Sequence, residues 1–397
     1  MIDHKQQLLQ VPLMGISRHR LGLDGAGVIT LVTFYGCRLR CKYCINPECF
    51  QPNPEAKVYT PQSLLEELMK DDIYFRATEG GVTFGGGEPG LYADFIVAFK
   101  QICPPEWKIR LETSLQFDTR GLQLLAPVVD EWFVDVKTDN YAIYRRYTGG
   151  DYQRVVDHLS VLVDKLGVRR SNIVLRIPVI PGYVDMKRAL LTKKDFLWAG
   201  FHRLDVFKYR EARPEHAPAD GKERCELLKR VRQELAEANG LAYVPRPCSH
   251  EGDCPGTCPL CEQELKKLSA DLKGAPEEMV KVSEETCEMI NTLYRPDNRS
   301  LYSKDEEEPW LAGVMAPGNP PTEQEDFDGM MELPKGMREQ LERELLDDLI
   351  MLQGEPTRDE PMHLAGMPMV NPRWEEEEKE REESGEDDEA PENCQTT

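Results

Sequence analysis

Between residues 27 and 246 the chain alternates short apolar runs with stretches of helical period. The apolar runs are "GVITLVTFYG", "GGVTFGG", "WKIRLETS", "WFVDVK", "NIVLRIPVI" and "RLDVFKY". Between them lie "TPQSLLEELMKDDIYF", "YADFIVAFKQI", "YQRVVDHLSVLVDKL" and "CELLKRVRQELAEAN". The first of these opens on Thr60-Pro61, an N-cap followed by proline at the first helical position. Strands of this type, buried on both faces, form parallel sheets with helical crossovers, so the fold class is α/β. Six repeats are too few for an eight-stranded barrel. A partial (β/α)6 barrel or a doubly wound sheet remains, and in either one ligands collect at the carboxyl ends of the strands.

The first run leads directly into "TFYGCRLRCKYCINPEC", which places Cys37, Cys41 and Cys44 at gaps of three and two residues, with Cys49 just beyond. The chain has 12 cysteines, no apolar stretch of membrane-spanning length and no signal-peptide pattern in "MIDHKQQLLQ", so the expected location is the cytoplasm, with no membrane contact. In a reducing compartment, clustered cysteines point to metal or catalysis before disulfides. A cubane iron–sulfur cluster has one thiolate on each of its four irons. Three thiolates on one short loop leave an iron open, and an open coordination position marks a catalytic site rather than a closed structural one. Cys49 as a fourth ligand and zinc at the three cysteines are the competing readings, and no second paired motif follows nearby to support zinc.

"CRLRCKYC", with the aromatic Tyr43 before the third cysteine, resembles the cluster loop of the radical S-adenosylmethionine (radical SAM) superfamily. "GGVTFGGGEP" resembles that superfamily's glycine-rich strand end, which assigns Gly86, Gly87 and Glu88 to cofactor binding. The glycines are expected to let the backbone approach the ligand where a Cβ would collide. Further on, "LETS", "VDVKTDN" and "LRIPVIPGYVD" resemble the activating enzymes of glycyl radical enzymes, of the pyruvate formate-lyase activase type, over roughly residues 25 to 210. The resemblance implies a [4Fe–4S] cluster on Cys37, Cys41 and Cys44, with the SAM amino and carboxylate groups on the open iron. It also implies reductive cleavage of SAM to a 5′-deoxyadenosyl radical and hydrogen abstraction from a glycine of a partner glycyl radical enzyme. The electron donor would be flavodoxin- or ferredoxin-like. By position, Asp135 and Lys137 would reach the SAM site and Arg176 its polar groups. Glu112, Thr113 and Asp135 could hold a monovalent cation. The one-residue gap puts Asp135 and Lys137 on the same face of a strand, where an unpaired charge would be costly. Two features depart from the activases: "KYR", with Tyr209 and Arg210, stands where they carry Tyr-His, and no cysteine-rich insert separates Cys44 from Gly80.

A second set, Cys248, Cys254, Cys258 and Cys261 with His250 among them, closes the core region. It is expected to hold an auxiliary [4Fe–4S] cluster near the barrel mouth in preference to zinc. Cys103 and Cys225 lie in or beside helical patterns and read as buried thiols. Residues 1–247 are read as the core, 248–261 as the metal-binding segment, 262–353 as a helical extension and 354–397 as an acidic disordered tail. Helices are expected over 276–293 and 337–352. From Glu262 onward there are 38 acidic and 14 basic residues, so the net charge of −22 belongs to this extension. No basic footprint suggests a nucleic-acid partner. Two other functions compete: a radical SAM enzyme acting on a peptide or small molecule with help from an auxiliary cluster, and a non-catalytic iron–sulfur electron carrier. The carrier would have no need of "GGGEP" or "VDVK".

Overall fold

The computed structural model describes residues 9–22, 24–208, 221–247 and 258–293. Strand β1 (Val11–Leu21) returns antiparallel along β2 (Val28–Phe34), and the short β3 (Val58–Tyr59) adds to the free side of β1. Helices α1 (Pro61–Leu68) and α2 (Asp72–Thr78) lead to β4 (Gly81–Gly86), and α3 (Ala93–Ile102) leads to β5 (Lys108–Thr113). Next come α4 (Thr119–Leu125), β6 (Glu131–Asp135), α5 (Tyr141–Thr148), α6 (Tyr152–Ser160) and β7 (Ile173–Val179). The last crossover is α7 (Met186–Trp198), which ends in β8 (Leu204–Lys208). The order across the sheet is β3-β1-β2-β4-β5-β6-β7-β8, and β2 through β8 pair in parallel once the β1–β3 flap is set aside.

This order decides between the two architectures left open by the sequence. A doubly wound sheet reverses direction at a switch point. Here each parallel strand adds beside its predecessor, so right-handed crossovers put every helix on the same face. The sheet is an open partial barrel: β8 pairs with neither β1 nor β3.

Side-chain alternation then sorts the two faces. Val82 and Phe84, Ile109 and Leu111, Trp132 and Val134, and Ile173, Leu175 and Ile177 join the helices in one apolar core. The intervening residues, among them Gly85, Glu112, Asp135 and Arg176, face the concave side. The expectation of strands apolar on both faces therefore holds only for the helix side.

Helices α8 (Gly221–Ala238), α9 (Pro259–Asp271) and α10 (Glu284–Thr292) form a second layer. Leu228, Val231 and Leu235 of α8 share a core with Leu265 and Leu268 of α9, Ile290 of α10 and Tyr74 of α2. Val28 at the amino end of β2 joins the same core, and Gly27 donates to Asn291 at 2.7 Å, so this layer packs on the end of the sheet opposite the cysteine loop. The helix expected over 276–293 is shorter: Ser283 caps α10 by accepting from Thr286, and the residues before it hold only a single 3-10 turn. Glu234 of α8 accepts from the Ser283 N–H at 2.8 Å and from the Thr286 hydroxyl, which fixes the start of the helix there, and the Ser283 hydroxyl satisfies an orphan donor of the first turn. Tyr209, Arg210, Cys248, His250, Cys254, the 337–352 helix and the acidic tail lie outside the described residues. Among the described residues, no helix is long and apolar enough to cross a membrane.

The β1 flap has no pattern of its own in the sequence, because Ser17, Arg18, His19 and Arg20 interrupt its apolar alternation. A buried carboxylate fastens it. Asp71, at the α1–α2 junction and 0% exposed, accepts from Arg18 at 2.6 and 2.8 Å, from His19 at 2.9 Å and from Thr30 at 3.2 Å. A bulge between Ser17 and Arg20, with His19 at φ 57°, turns that ring onto the carboxylate. Removing the acceptor leaves Arg18 with only the exposed Glu262 and His19 with no carboxylate, which costs roughly 3–5 kcal/mol. Asp71→Ala is therefore expected to lose about that much stability in urea unfolding; a loss below about 1 kcal/mol would show the flap to be held by packing alone.

Candidate active site

The cysteine loop is held from both sides by its backbone. On the sheet side, Gly36 donates to the Cys49 carbonyl at 2.7 Å, Gly87 to Phe34 at 2.9 Å and Glu88 to Gly36 at 2.7 Å. On the outer side, Arg40 donates to Thr148 at 2.6 Å and Lys42 to Tyr147 at 3.0 Å, at the end of α5. Leu39 is buried against Gly150, where any Cβ would stand 2.3 Å from the leucine. Tyr43 packs edge-on against Tyr183, with ring centroids 6.0 Å apart. The loop is thus a fixed element, and Cys37, Cys41 and Cys44 stand half-buried along it.

Cys49 is buried, unlike the other three. Its thiol bonds to Cys44, and that contact holds the Cys44 thiol down to about 6 against its own burial. Burial pushes the Cys37 thiol up to about 12, with Glu88 adding to the effect. The structure therefore separates three accessible thiols from a fourth that lies behind them.

Within the protein the glycines also let segments of the chain meet. A Cβ on Gly87 would sit 2.0 Å from the Gly36 carbonyl, and one on Gly86, at φ +90°, would sit 2.7 Å from Thr33. Both collisions are with the protein, so these glycines let the end of β4 lie against the cysteine loop. The Gly86 carbonyl accepts from Asn46 at 3.0 Å, a loop residue that no sequence motif marked. Gly85 is the glycine that faces the concave side, where a Cβ would meet Glu112 at 3.0 Å.

Glu88 is turned away from the concave side as well. Its carboxylate accepts from Thr113 Oγ1 at 2.6 Å, Ser114 N at 3.0 Å and Gly90 N at 3.2 Å. It shapes the turn after β5, where Leu115 takes φ 54° and His158 Nδ1 contacts the Leu115 carbonyl at 2.9 Å. The Thr113 hydroxyl belongs to this turn and bonds Glu88, while the Glu112 and Asp135 side chains face inward.

Glu112, Asp135, Lys137 and Arg176 do come together. The Arg176 guanidinium donates to Asp135 at 2.8 Å and to Glu112 at 2.6 Å, and Lys137 donates to the other Asp135 oxygen at 2.7 Å. Residues 135 and 176 are register partners of β6 and β7, which aligns the first pair. Arg20 and Asp24 pair at the β1 side, and Asp24 acts on Glu112. Burial would raise the Asp135 carboxyl, but Arg176 and Lys137 outweigh it and hold it down to about 2. Burial prevails at Glu112 and lifts it to about 7 despite Arg176. The charge of Lys137 also acts on Cys41 and Cys44, so this network lies beneath the cysteine loop.

The Radical SAM superfamily model matches residues 31–192. The pyruvate formate-lyase 2-activating enzyme of Escherichia coli (strain K12) is 30% identical over 238 residues, spanning 50% of this chain and 80% of that relative. The chain belongs to the radical SAM superfamily. Two further relatives are similar to this radical SAM enzyme at 26% identity. The (2S)-3-sulfopropanediol dehydratase activating enzyme of Klebsiella oxytoca matches over 235 residues, 44% of this chain and 73% of its own. The pyruvate formate-lyase-activating enzyme of Clostridium pasteurianum matches over 231 residues, 54% and 94%. The radical SAM family implies a [4Fe–4S] cluster and SAM, and the donor set fits them: three accessible thiols on one rigid loop, with anionic and cationic side chains below.

Two outcomes follow from this geometry. Gly87→Ala drives a Cβ into the Gly36 carbonyl and is expected to reduce bound iron after reconstitution to well under half of wild type; full iron content would mean that the loop does not depend on this contact. Burial holds His158 neutral and lowers it from 6.5 to about 4. The unfolded chain takes up a proton near 6.5 that the folded chain refuses, so stability falls as pH drops from 6.5 to about 4, by on the order of 3 kcal/mol, and then levels off. His158→Gln should flatten that slope in unfolding titrations across the window; an unchanged slope would assign it to other groups.

Proposed function

We propose that this radical SAM enzyme is the activating enzyme of a glycyl radical enzyme. The observation that carries the reading is the convergence of the cysteine loop with Asp135, Lys137 and Arg176 at the carboxyl ends of the strands, within the stretch shared with relatives named as activating enzymes. Cys37, Cys41 and Cys44 would bind the cluster, and the amino and carboxylate groups of SAM would take the remaining iron. When bound, the reduced cluster and SAM supply a 5′-deoxyadenosyl radical able to take a hydrogen atom from a glycine.

The chain's own residues orient and shield. Lys137 offers a cation to the SAM carboxylate, and Asp135 holds that cation in place. Arg176 keeps Asp135 ionised and spans to Glu112, which fixes the spacing of the inner face. Tyr43, Tyr147 and Tyr183 wall the outer side of the loop with apolar rings and limit the access of water. The partner would present its glycine to the concave side, and a flavodoxin- or ferredoxin-like protein would supply the electron.

Anaerobically reconstituted protein given dithionite and SAM is expected to form 5′-deoxyadenosine. Mixed with its glycyl radical enzyme, it should give a glycine-centred doublet in electron paramagnetic resonance. Nucleoside release with no doublet on any such partner would move the substrate to a peptide or small molecule; no release at all would remove the catalytic reading. Lys137→Met should slow SAM cleavage by roughly ten- to a hundred-fold, the size of one lost charge-assisted contact.

A further inference from the structure

Cys225 is buried, as its helical setting suggests, but it has a thiol neighbour. Its Sγ lies 3.7 Å from Sγ of Cys261, although 36 residues separate the two along the chain. Cys261 also contacts the thiol of Cys258. One sulfur comes from α8 and two from the start of α9, where Cys258 is the N-cap and Pro259 occupies the first turn.

We propose that Cys225, Cys258 and Cys261 are ligands of a structural zinc ion, with Cys225 the member that sequence spacing does not reveal. Four sulfurs each about 2.3 Å from a zinc ion stand about 3.8 Å apart along the edges of their tetrahedron. The Cys225–Cys261 separation of 3.7 Å matches such an edge. A cubane cluster gives each thiolate its own iron and so holds its sulfurs much farther apart. The Cys258-x2-Cys261 spacing at a helix start is that of a zinc knuckle, and a helix N-terminus favours anionic ligands. Arg232, wholly buried and bonded to Tyr243 at 2.9 Å and Glu264 at 3.1 Å, adds a positive charge that acts on Cys261.

The three sulfurs run as a chain through Cys261. Among the described residues no three such side chains already close on one ion, so binding has to bring the three sulfurs closer together. The location argues for a fastening role. The layer that carries these thiols packs on α2 and on the amino end of β2, whereas Cys37, Cys41 and Cys44 follow the carboxyl end of that strand. The ion would tie α9 to α8 rather than relay electrons at the barrel mouth. This inference stands whether or not the chain activates a glycyl radical enzyme.

The test counts zinc and iron per chain by mass spectrometry in the full-length protein purified anaerobically. Wild type is expected to hold one zinc, Cys225→Ser none, and Cys103→Ser, which alters a buried thiol elsewhere, one. Iron should be the same in all three. Cobalt-substituted wild type should show thiolate-to-cobalt charge-transfer bands that Cys225→Ser lacks. Should Cys225→Ser fail to fold, Cys225→His decides: an imidazole ligand keeps the zinc if position 225 binds it, and zinc lost from this folded variant overturns the assignment. Zinc kept in Cys225→Ser but lost in Cys254→Ser would place the site on the later cysteines alone. Loss of roughly four irons in place of one zinc would make the site a cluster. A metal-free protein with a Cys225–Cys261 disulfide would make it a redox pair. Each of these three results overturns the proposal.

Discussion

Arg176 holds two carboxylates from two neighbouring strands, and the concave face of this sheet is organised around that fork. Asp135, Glu112 and Arg176 are each too costly to keep charged and unpaired inside the rim. Together they satisfy one another, and Lys137 completes the set on the side nearest the cysteines. The side chains remain 15–23% exposed, so the network is open to the space it lines rather than sealed in a core. A polar, pre-paired floor under a rigid thiol loop is a surface that a charged ligand can meet without first reorganising the protein.

Rigidity of the loop comes from a different source. Backbone hydrogen bonds tie it to the ends of β2, β4 and α5, and glycines at 86 and 87 remove the atoms that would keep those segments apart. "GGGEP" was legible as a landmark, and its contacts inside the protein came only with the fold. Within the protein the motif packs: Glu88 shapes the β5 turn, Gly87 admits the Gly36 carbonyl, and Asn46 donates to the Gly86 carbonyl. A residue type shows that close approach occurs; it does not show which atom approaches.

The six parallel strands and most of their crossovers were legible because apolar runs and helical periods are local signals. The β1–β3 flap was not, since Arg18 and His19 in its polar middle find their buried partner in Asp71, more than fifty residues away in the chain. The reach of α10 was overestimated because its apolar spacing extends upstream of Ser283, the N-cap at which the helix begins. The pairing of Cys225 with Cys261 was invisible for the same reason as the flap: it joins two helices brought together by a shared leucine core.

By itself, the sequence determined that the chain builds a parallel α/β core, and that three thiols would follow its first parallel strand; Asp135 and Lys137 do meet, but at the end of β6, with Lys137 just past the strand. Those are consequences of short-range spacing, which backbone geometry converts directly into position. Only the tertiary structure decided that the sheet winds in one direction, and that Thr113 and Glu88 face away from Glu112. Only it brought the thiol of helix α8 to the start of α9. Each of these depends on which distant segments pack together, and packing partners are chosen by the energy of the whole fold rather than by any stretch of it.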